Sequence, residues 1–352
     1  MSETRAGLKI LQTGLYSTIQ DQGRFGLRHL GIPWSGVLCP AWQEIANALV
    51  GNPENTPVIE CFEGGLQLQA IAEPVHLAVV GDSEAAVKIS ADGSVVLTKP
   101  NRTLTLATGE SLLLTSTGRA RQAIVAIAGV SIQAHLGSAS TYAKASLGGL
   151  DGSVLKAGDE ILLRVADDNK PDTQSNQRCH MPEELYYQAN EIRVIAGPQF
   201  DNFSPAGQDT FRNSDYVLST EVDRMGARFN GPAIAHRDGL SKDIVSDAIV
   251  PGSIQIPGSG LPIVLLNDAQ TAGGYPKIAT VISADLPLSG LQRTGAMFRF
   301  RLVTMDEAIS ARQHRQQLVA HTIDTFSPCI RRTPDSAMLL KYNLIDGVTD
   351  GS

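Results

Sequence analysis

Four cysteines, Cys39, Cys61, Cys179 and Cys329, are scattered through 352 residues, with no C-x-x-C pair among them. The seven histidines show no ligand spacing either, so the sequence proposes neither a metal site nor a disulfide framework, and the thiols are expected to be reduced. There is no Lys/Arg-rich run. Lys and Arg number 29 against 36 Asp and Glu, a formal charge of −7, which argues against a phosphate-backbone partner: no nucleic acid is expected. Long apolar runs are missing too. The longest mostly apolar stretch, Ala123 to Ile132, is about half a membrane span, and the first residues lack a secretory apolar core. The expectation is a cytoplasmic protein with no membrane contact.

Several nucleotide and nucleophile signatures are also absent. No G-x-x-x-x-G-K-[ST] loop, no G-x-G-x-x-G after the first strand and no G-x-S-x-G elbow in a strand-to-helix context occurs.

What is present is glycine and proline, 33 and 18 residues, between short β-branched or alternating segments. Val75–Val80, Leu104–Leu106, Ser111–Leu114, Ala123–Ile127, Glu160–Val165, Ile192–Ile195, Ser253–Ile256, Ile263–Leu266 and Met297–Val303 read as strands, the pattern of a mainly β protein. Two helices interrupt them. In Pro40–Val50, Trp42, Ile45, Ala46 and Leu49 share a face, Pro40 suits the first turn and Gly51 the stop. From Met305 to about His321, acidic Asp306 and Glu307 precede Arg312 and Arg315, matching the helix dipole. The length suggests two domains. The divisions expected are an N-terminal β half over 1–165, a polar linker over 166–190, a C-terminal β half with its closing helix over 191–321, and a partly disordered tail over 322–352.

Three polar, glycine-rich clusters are candidate sites for a small-molecule substrate. The densest is Asn267, Asp268, Gln270, Thr271, Gly273, Gly274, Tyr275 and Lys277, directly after the apolar strand that ends at Leu266. Donors, a carboxylate, bare backbone and a cation in one loop suit a small anionic ligand; a hairpin with Gly273 and Gly274 at positive φ is the alternative. Near the start, Arg24 could pair with Asp21 across a turn, or offer its planar fork to an anion beside Ser35. Arg224, before Met225 and Gly226, could bind an anion or form a structural ion pair.

In these loops the chain resembles a known family. Thr18–Arg24 (TIQDQGR), Gly31–Gly36 (GIPWSG), Ala46–Asn52 (ANALVGN) and Glu60 are similar to the opening of the C subunit of 5-oxoprolinase. Gly148–Gly152 (GGLDG), Gly197-Pro198, Asp223–Gly226 (DRMG), Pro251–Pro257 (PGSIQIP) and Asn267–Lys277 (NDAQTAGGYPK) continue the match in order, from roughly Leu8 to His314. The wider family includes allophanate hydrolase subunit 2-like proteins, KipA-type regulators and the carboxyltransferase domain of urea carboxylase.

The resemblance implies two related cyclophilin-like β-barrel halves with a few short helices. It also implies ATP-dependent opening of 5-oxo-L-proline to L-glutamate, with ATP and Mg2+ used in a complex. The partners implied are the two other components of that enzyme, a B-type, KipI-like protein and an A-type protein of the LamB/YcsF kind. Carried onto this chain, Lys277, Arg224 and Asp268 become catalytic candidates, Gln255 a substrate-amide contact, and Arg24, Asp21 and Ser35 a second wall of the pocket. Two further roles are compatible with the family: a carboxyltransferase working with a biotin enzyme, and a non-enzymatic regulator binding a KipI-like protein. The chain has no Met-Lys dipeptide, so no covalent biotin is expected on it. One departure stands out: Cys39 occupies the position before the first helix where the family usually has Asp, losing an N-cap or, if that Asp contacts substrate, changing substrate or activity; a helix N-terminus could lower the thiol pKa, but a buried, inert thiol is expected.

Overall fold

The computed structural model describes residues 6–82, 86–115, 118, 120–163 and 176–329. The N-terminal strands are β1 (Gly7–Thr13), β2 (Tyr16–Gln20), β3 (Val58–Phe62), β4 (Leu66–Ile71), β5 (Val75–Gly81) and β6 (Ala86–Ile89). They continue with β7 (Val95–Thr98), β8 (Arg102–Leu106), β9 (Ser111–Leu114), β10 (Gln122–Ile127), β11 (Glu160–Leu162) and β12 (Gln177–Arg178). The later strands are β13 (Glu191–Ala196), β14 (Asp215–Val222), β15 (Gly226–Asn230), β16 (Asp247–Ala248) and β17 (Ser253–Gln255). β18 (Ile263–Leu265), β19 (Ala272–Gly273), β20 (Lys277–Val281), β21 (Met297–Leu302) and β22 (Ser327–Pro328) complete the set. Among the described residues the α-helices are α1 (Pro40–Leu49), α2 (Pro205–Asn213), α3 (Leu286–Leu291) and α4 (Met305–Asp324). The protein is mainly β, as expected.

The N-terminal strands form two sheets, ordered β11-β1-β4-β9-β6-β7 and β2-β3-β10-β5-β8-β12-β22; β13-β20-β17-β18-β15-β14-β21 close a barrel. Strand alternation explains how the two parts join. Along β5, Val75, Leu77 and Val79 enter the core between the two sheets, whereas Ala78 and Val80 enter a second core shared with α1 and the barrel. β10 divides likewise, Ala123, Val125 and Ile127 against Ile124 and Ala126. The middle of the second sheet is therefore buried on both faces, which is why β5 reads as an unbroken apolar run.

α1 sits in the shared core. Its apolar face is buried as the periodicity predicts, and Trp42 also donates from Nε1 to the Leu185 carbonyl at 2.7 Å. Buried Asn47 donates from Nδ2 to the Glu54 and Thr56 carbonyls at 3.0 and 2.8 Å, fixing the loop that leads to β3.

Two boundary expectations are corrected and one falls outside the described residues. The β11 strand ends at Leu162, and residues 164–175, including most of the expected linker's first half, lie outside the described residues. The second half, 176–190, is not a linker: Cys179, Met181, Leu185 and Tyr187 are buried in the shared core, and β12 extends the second sheet. Of the expected tail, 322–324 complete α4 and β22 pairs with β12, returning the chain to the N-terminal half. Residues 330–352 lie outside the described residues.

Candidate functional site

The turn between β14 and β15 aims one side chain inward. Asp223 accepts hydrogen bonds at Oδ1 from the backbone N–H groups of Met225 (2.7 Å) and Gly226 (3.1 Å), which fixes the turn around Arg224. Arg224, only 4% exposed, grips Asp268 with two parallel bonds, Nε to Oδ2 at 3.0 Å and Nη2 to Oδ1 at 3.1 Å. Its Nη1 donates to Oε1 of Glu60, and Nη2 also reaches the Gly36 carbonyl at 2.6 Å. Glu60, on β3, is fully buried and accepts from the Leu38 N–H at 2.8 Å. A cation from the barrel thus binds a carboxylate of its own half and one from the N-terminal half.

Asn267 reinforces this junction. Its Nδ2 donates to the Val37 carbonyl at 2.8 Å, and its own carbonyl accepts from the Ser35 N–H at 2.9 Å. Burial pushes the Glu60 carboxyl upward, and Arg224 opposes the shift. For Arg224 burial works against the charge, but Asp268 and Glu60 outweigh it and hold the guanidinium protonated above its ordinary range.

Over this junction lies a cleft of about 470 Å³, walled by Leu15, Tyr16, Phe62, Tyr142, Lys144, Met225 and the edges of Arg224 and Asp268. Lys144, exposed on a loop of the N-terminal half, touches the Met225 sulfur across the mouth of the cleft. Arg121, also on the wall, is paired with Glu63 at 2.8 Å. Burial raises the phenol pKa of both Tyr16 and Tyr142, keeping them as hydrogen-bond donors at neutral pH.

The sequence's single pocket is divided in the structure. Arg224 and Asp268 meet this cleft, whereas Gln255, Gln270 and Tyr275 line a second one of about 530 Å³ on the other side of the β14–β15 turn. Val222, Asp223 and Met225 contribute to both walls. Lys277 lines neither. It is buried, with Nζ 2.6 Å from Asp247, whose carboxyl that bond holds below the usual range. Thr271 gives its carbonyl to the Ile249 N–H at 3.0 Å. Gly273 and Gly274 are not at positive φ, so the hairpin explanation of these glycines fails. Gly273 is required for space: a Cβ there would stand 2.4 Å from Ile249 Cδ1 and 2.6 Å from Gln255 Nε2.

Arg24 and Asp21 do not form a pocket wall, nor the direct pair the turn suggested. Asp21 accepts from Gly23 N–H (2.8 Å), Ala139 N–H (2.7 Å), and the Ser138 and Ser140 hydroxyls (both 2.6 Å). Arg24, 1% exposed, donates to the carbonyls of His135, Ser138 and Ser140. Together they clamp the loop that carries Tyr142 and Lys144. Ser35 is buried at φ 53°, and its N–H, not its hydroxyl, makes the contact to Asn267. Cys39 is fully buried and burial pushes its thiol up to about 12, the inert state expected of it rather than an activated one; its side chain makes no cap.

Sequence reasoning gave no role to Glu60, Tyr16, Tyr142 or Lys144. A signal existed for Glu60, the single charge in the otherwise apolar Val58–Phe62 run. For the other three the sequence carries none, since the loop clamp that gathers them spans over a hundred residues.

The fold and the charged junction under its cleft define a two-part β scaffold with this cleft, the candidate site, between the parts. The family described as carboxyltransferase domain, subdomain A and B, matches residues 30–302, and the chain belongs to it. The 5-oxoprolinase C subunit of Escherichia coli (strain K12) is 35% identical over 88% of this chain and 96% of its own. That of Haemophilus influenzae is 33% identical over 88% and 95%. Urea amidolyase of Saccharomyces cerevisiae is 28% identical over 87% of this chain but only 17% of its own length. Among solved structures, the Kluyveromyces lactis urea amidolyase shares the fold with a TM-score of 0.79, at 22% identity, over 92% of this chain and 20% of that one.

Proposed function

We propose that this chain is one component of an ATP-dependent 5-oxoprolinase that converts 5-oxo-L-proline to L-glutamate with KipI-like and LamB/YcsF-type partners. The observation that carries the reading is the near full-length match, on both sides, to the 5-oxoprolinase C subunit. The amidolyase match spans a sixth of a larger protein, which favours the lactam reading over a carboxyl-transfer role.

The chemistry required suits the first cleft. A lactam carbonyl is a poor electrophile; when its oxygen takes the γ-phosphoryl group of ATP, releasing ADP, water can add to the ring carbon, the C–N bond breaks as the nitrogen takes a proton, and a second water attacking the carbon of the resulting acyl phosphate releases glutamate and phosphate. The protonated phenols of Tyr16 and Tyr142 can donate to the oxygens of the transferring phosphoryl group, and the Lys144 ammonium can offset negative charge as it develops there. ATP supplies the phosphoryl group. The donors on this chain that fit its phosphates are Lys144 and Arg121 at the cleft wall, beside the apolar surface of Leu15, Phe62 and Met225. The described residues hold no group of three His, Cys, Asp or Glu side chains fit for a metal, so Mg2+ would arrive with the phosphates. Arg224 and Asp268 act beneath the cleft by fixing its floor.

The test is reconstitution. This chain, co-purified with its KipI-like partner and supplemented with the LamB/YcsF-type protein, is expected to release glutamate and phosphate from 5-oxoproline and ATP, and to stop when any one component is left out. Full turnover without this chain would overturn the assignment.

A further inference from the structure

The strand edges of this fold are short, covered or closed, with one exception among the described residues. The barrel has no edge. The free side of β2 is covered by loop N–H groups, Thr141 to the Ile19 carbonyl and Leu155 to the Ser17 carbonyl, both at 2.9 Å. β11 carries Glu160, and β22 is two residues long. The exception is β7, the last strand of the six-stranded sheet, which pairs only with β6.

Its residues Val95, Val96 and Leu97 are 59, 56 and 73% exposed. Successive side chains of a strand point to opposite faces, so both faces of β7 are largely exposed, and no described residue pairs with its outer backbone. Natural proteins block such edges with charge, proline or a bulge, and β7 has none of these.

We propose that β7 is the interface of a symmetric dimer, in which two copies of this chain pair β7 to β7 antiparallel across a two-fold axis. The charges flanking the strand select a second copy as the occupant. Asp92 lies in the turn before β7, exposed, and the backbone N–H of Ser94 at 2.9 Å helps hold its carboxyl below the usual range. Lys99 follows the strand and is exposed. An uncharged strand with an anion at one end and a cation at the other is complementary to itself when antiparallel: pairing centred on Val96 sets each Lys99 opposite Gly93 of the second copy, beside Asp92. Parallel pairing would set like charges together. An interface built on one four-residue strand is small, so the dimer dissociates in the micromolar range.

Sedimentation of the purified full chain across the micromolar range tests this. The wild type is expected to show a reversible monomer–dimer equilibrium, and Leu97→Lys to be monomeric at an unchanged melting temperature. Lys99→Asp should weaken dimerisation about tenfold, and the swap Lys99→Asp with Asp92→Lys should restore it, because only self-pairing returns opposite charges to each contact. A wild type that stays monomeric, a Leu97→Lys variant that still dimerises, or a folded charge swap that fails to restore pairing would each overturn the proposal. A monomeric wild type whose Leu97→Lys variant loses its KipI-like partner would assign the edge to that partner instead.

Discussion

Arg224→Met is expected to destabilise the protein by about 3–5 kcal/mol, lowering the melting temperature by roughly 10 °C, because it leaves two buried carboxylates without their shared cation. Asp268 loses both of its parallel bonds, and Glu60 retains only the Leu38 N–H. The pH dependence of the loss has a definite sign. Burial already pushes the Glu60 carboxyl upward, and Arg224 is the main influence opposing it. In the variant Glu60 therefore binds a proton more tightly folded than unfolded. Its contribution to stability is fully present below the unfolded carboxylate pKa and is lost as pH rises through the raised folded value. Denaturant titrations at several pH values check this: the deficit relative to wild type should shrink toward acid pH, and adding Glu60→Gln to Arg224→Met should recover part of it at neutral pH. A variant as stable as wild type, or one whose deficit grows on acidification, would remove the junction from the account.

The second large effect falls on activity alone. Lys144→Ala is expected to reduce turnover by the reconstituted complex about a hundredfold, the size of losing one donor to developing charge, with the melting temperature unchanged because the side chain is exposed. The kinetic constants carry the distinction. Loss in kcat places the ammonium on charge that appears in the transition state, whereas a rise in KM at constant kcat would make it a ground-state contact to the substrate carboxylate or the nucleotide. Unchanged kinetics would exclude Lys144 from the site.

These two residues also show what the sequence could reveal. Secondary structure was legible wherever burial and period coincide: the two-faced run Val75–Val80, the alternating pattern of β21, and α1, whose apolar stripe and Pro40 fixed its start. Closure of seven strands into a barrel was not legible, since it depends on pairings such as β13 with β21, distant in sequence. The residues around Asn267–Lys277 were found because polar side chains and glycines after an apolar strand are conspicuous. Not all of them line a cleft, because the same composition serves packing: Gly273 makes room for Ile249, and Lys277 pairs with Asp247. Asp21 and Arg24 looked like ligand contacts for the same reason, and are consumed in holding a loop from 111 to 119 residues away. Composition identifies buried polar groups; only the three-dimensional arrangement says whether their partners are protein or substrate.

The most direct test of the central claim, ATP-dependent activation of the lactam in a complex that needs this chain, is the fate of the carbonyl oxygen. 5-Oxoproline labelled with 18O at its ring carbonyl would be turned over by the complete complex, and phosphate and glutamate analysed by mass spectrometry. Activation by phosphorylation predicts that the label appears in inorganic phosphate, and that transfer falls with turnover when Lys144→Ala replaces the wild-type chain. Label retained wholly in glutamate while ATP is hydrolysed would contradict it.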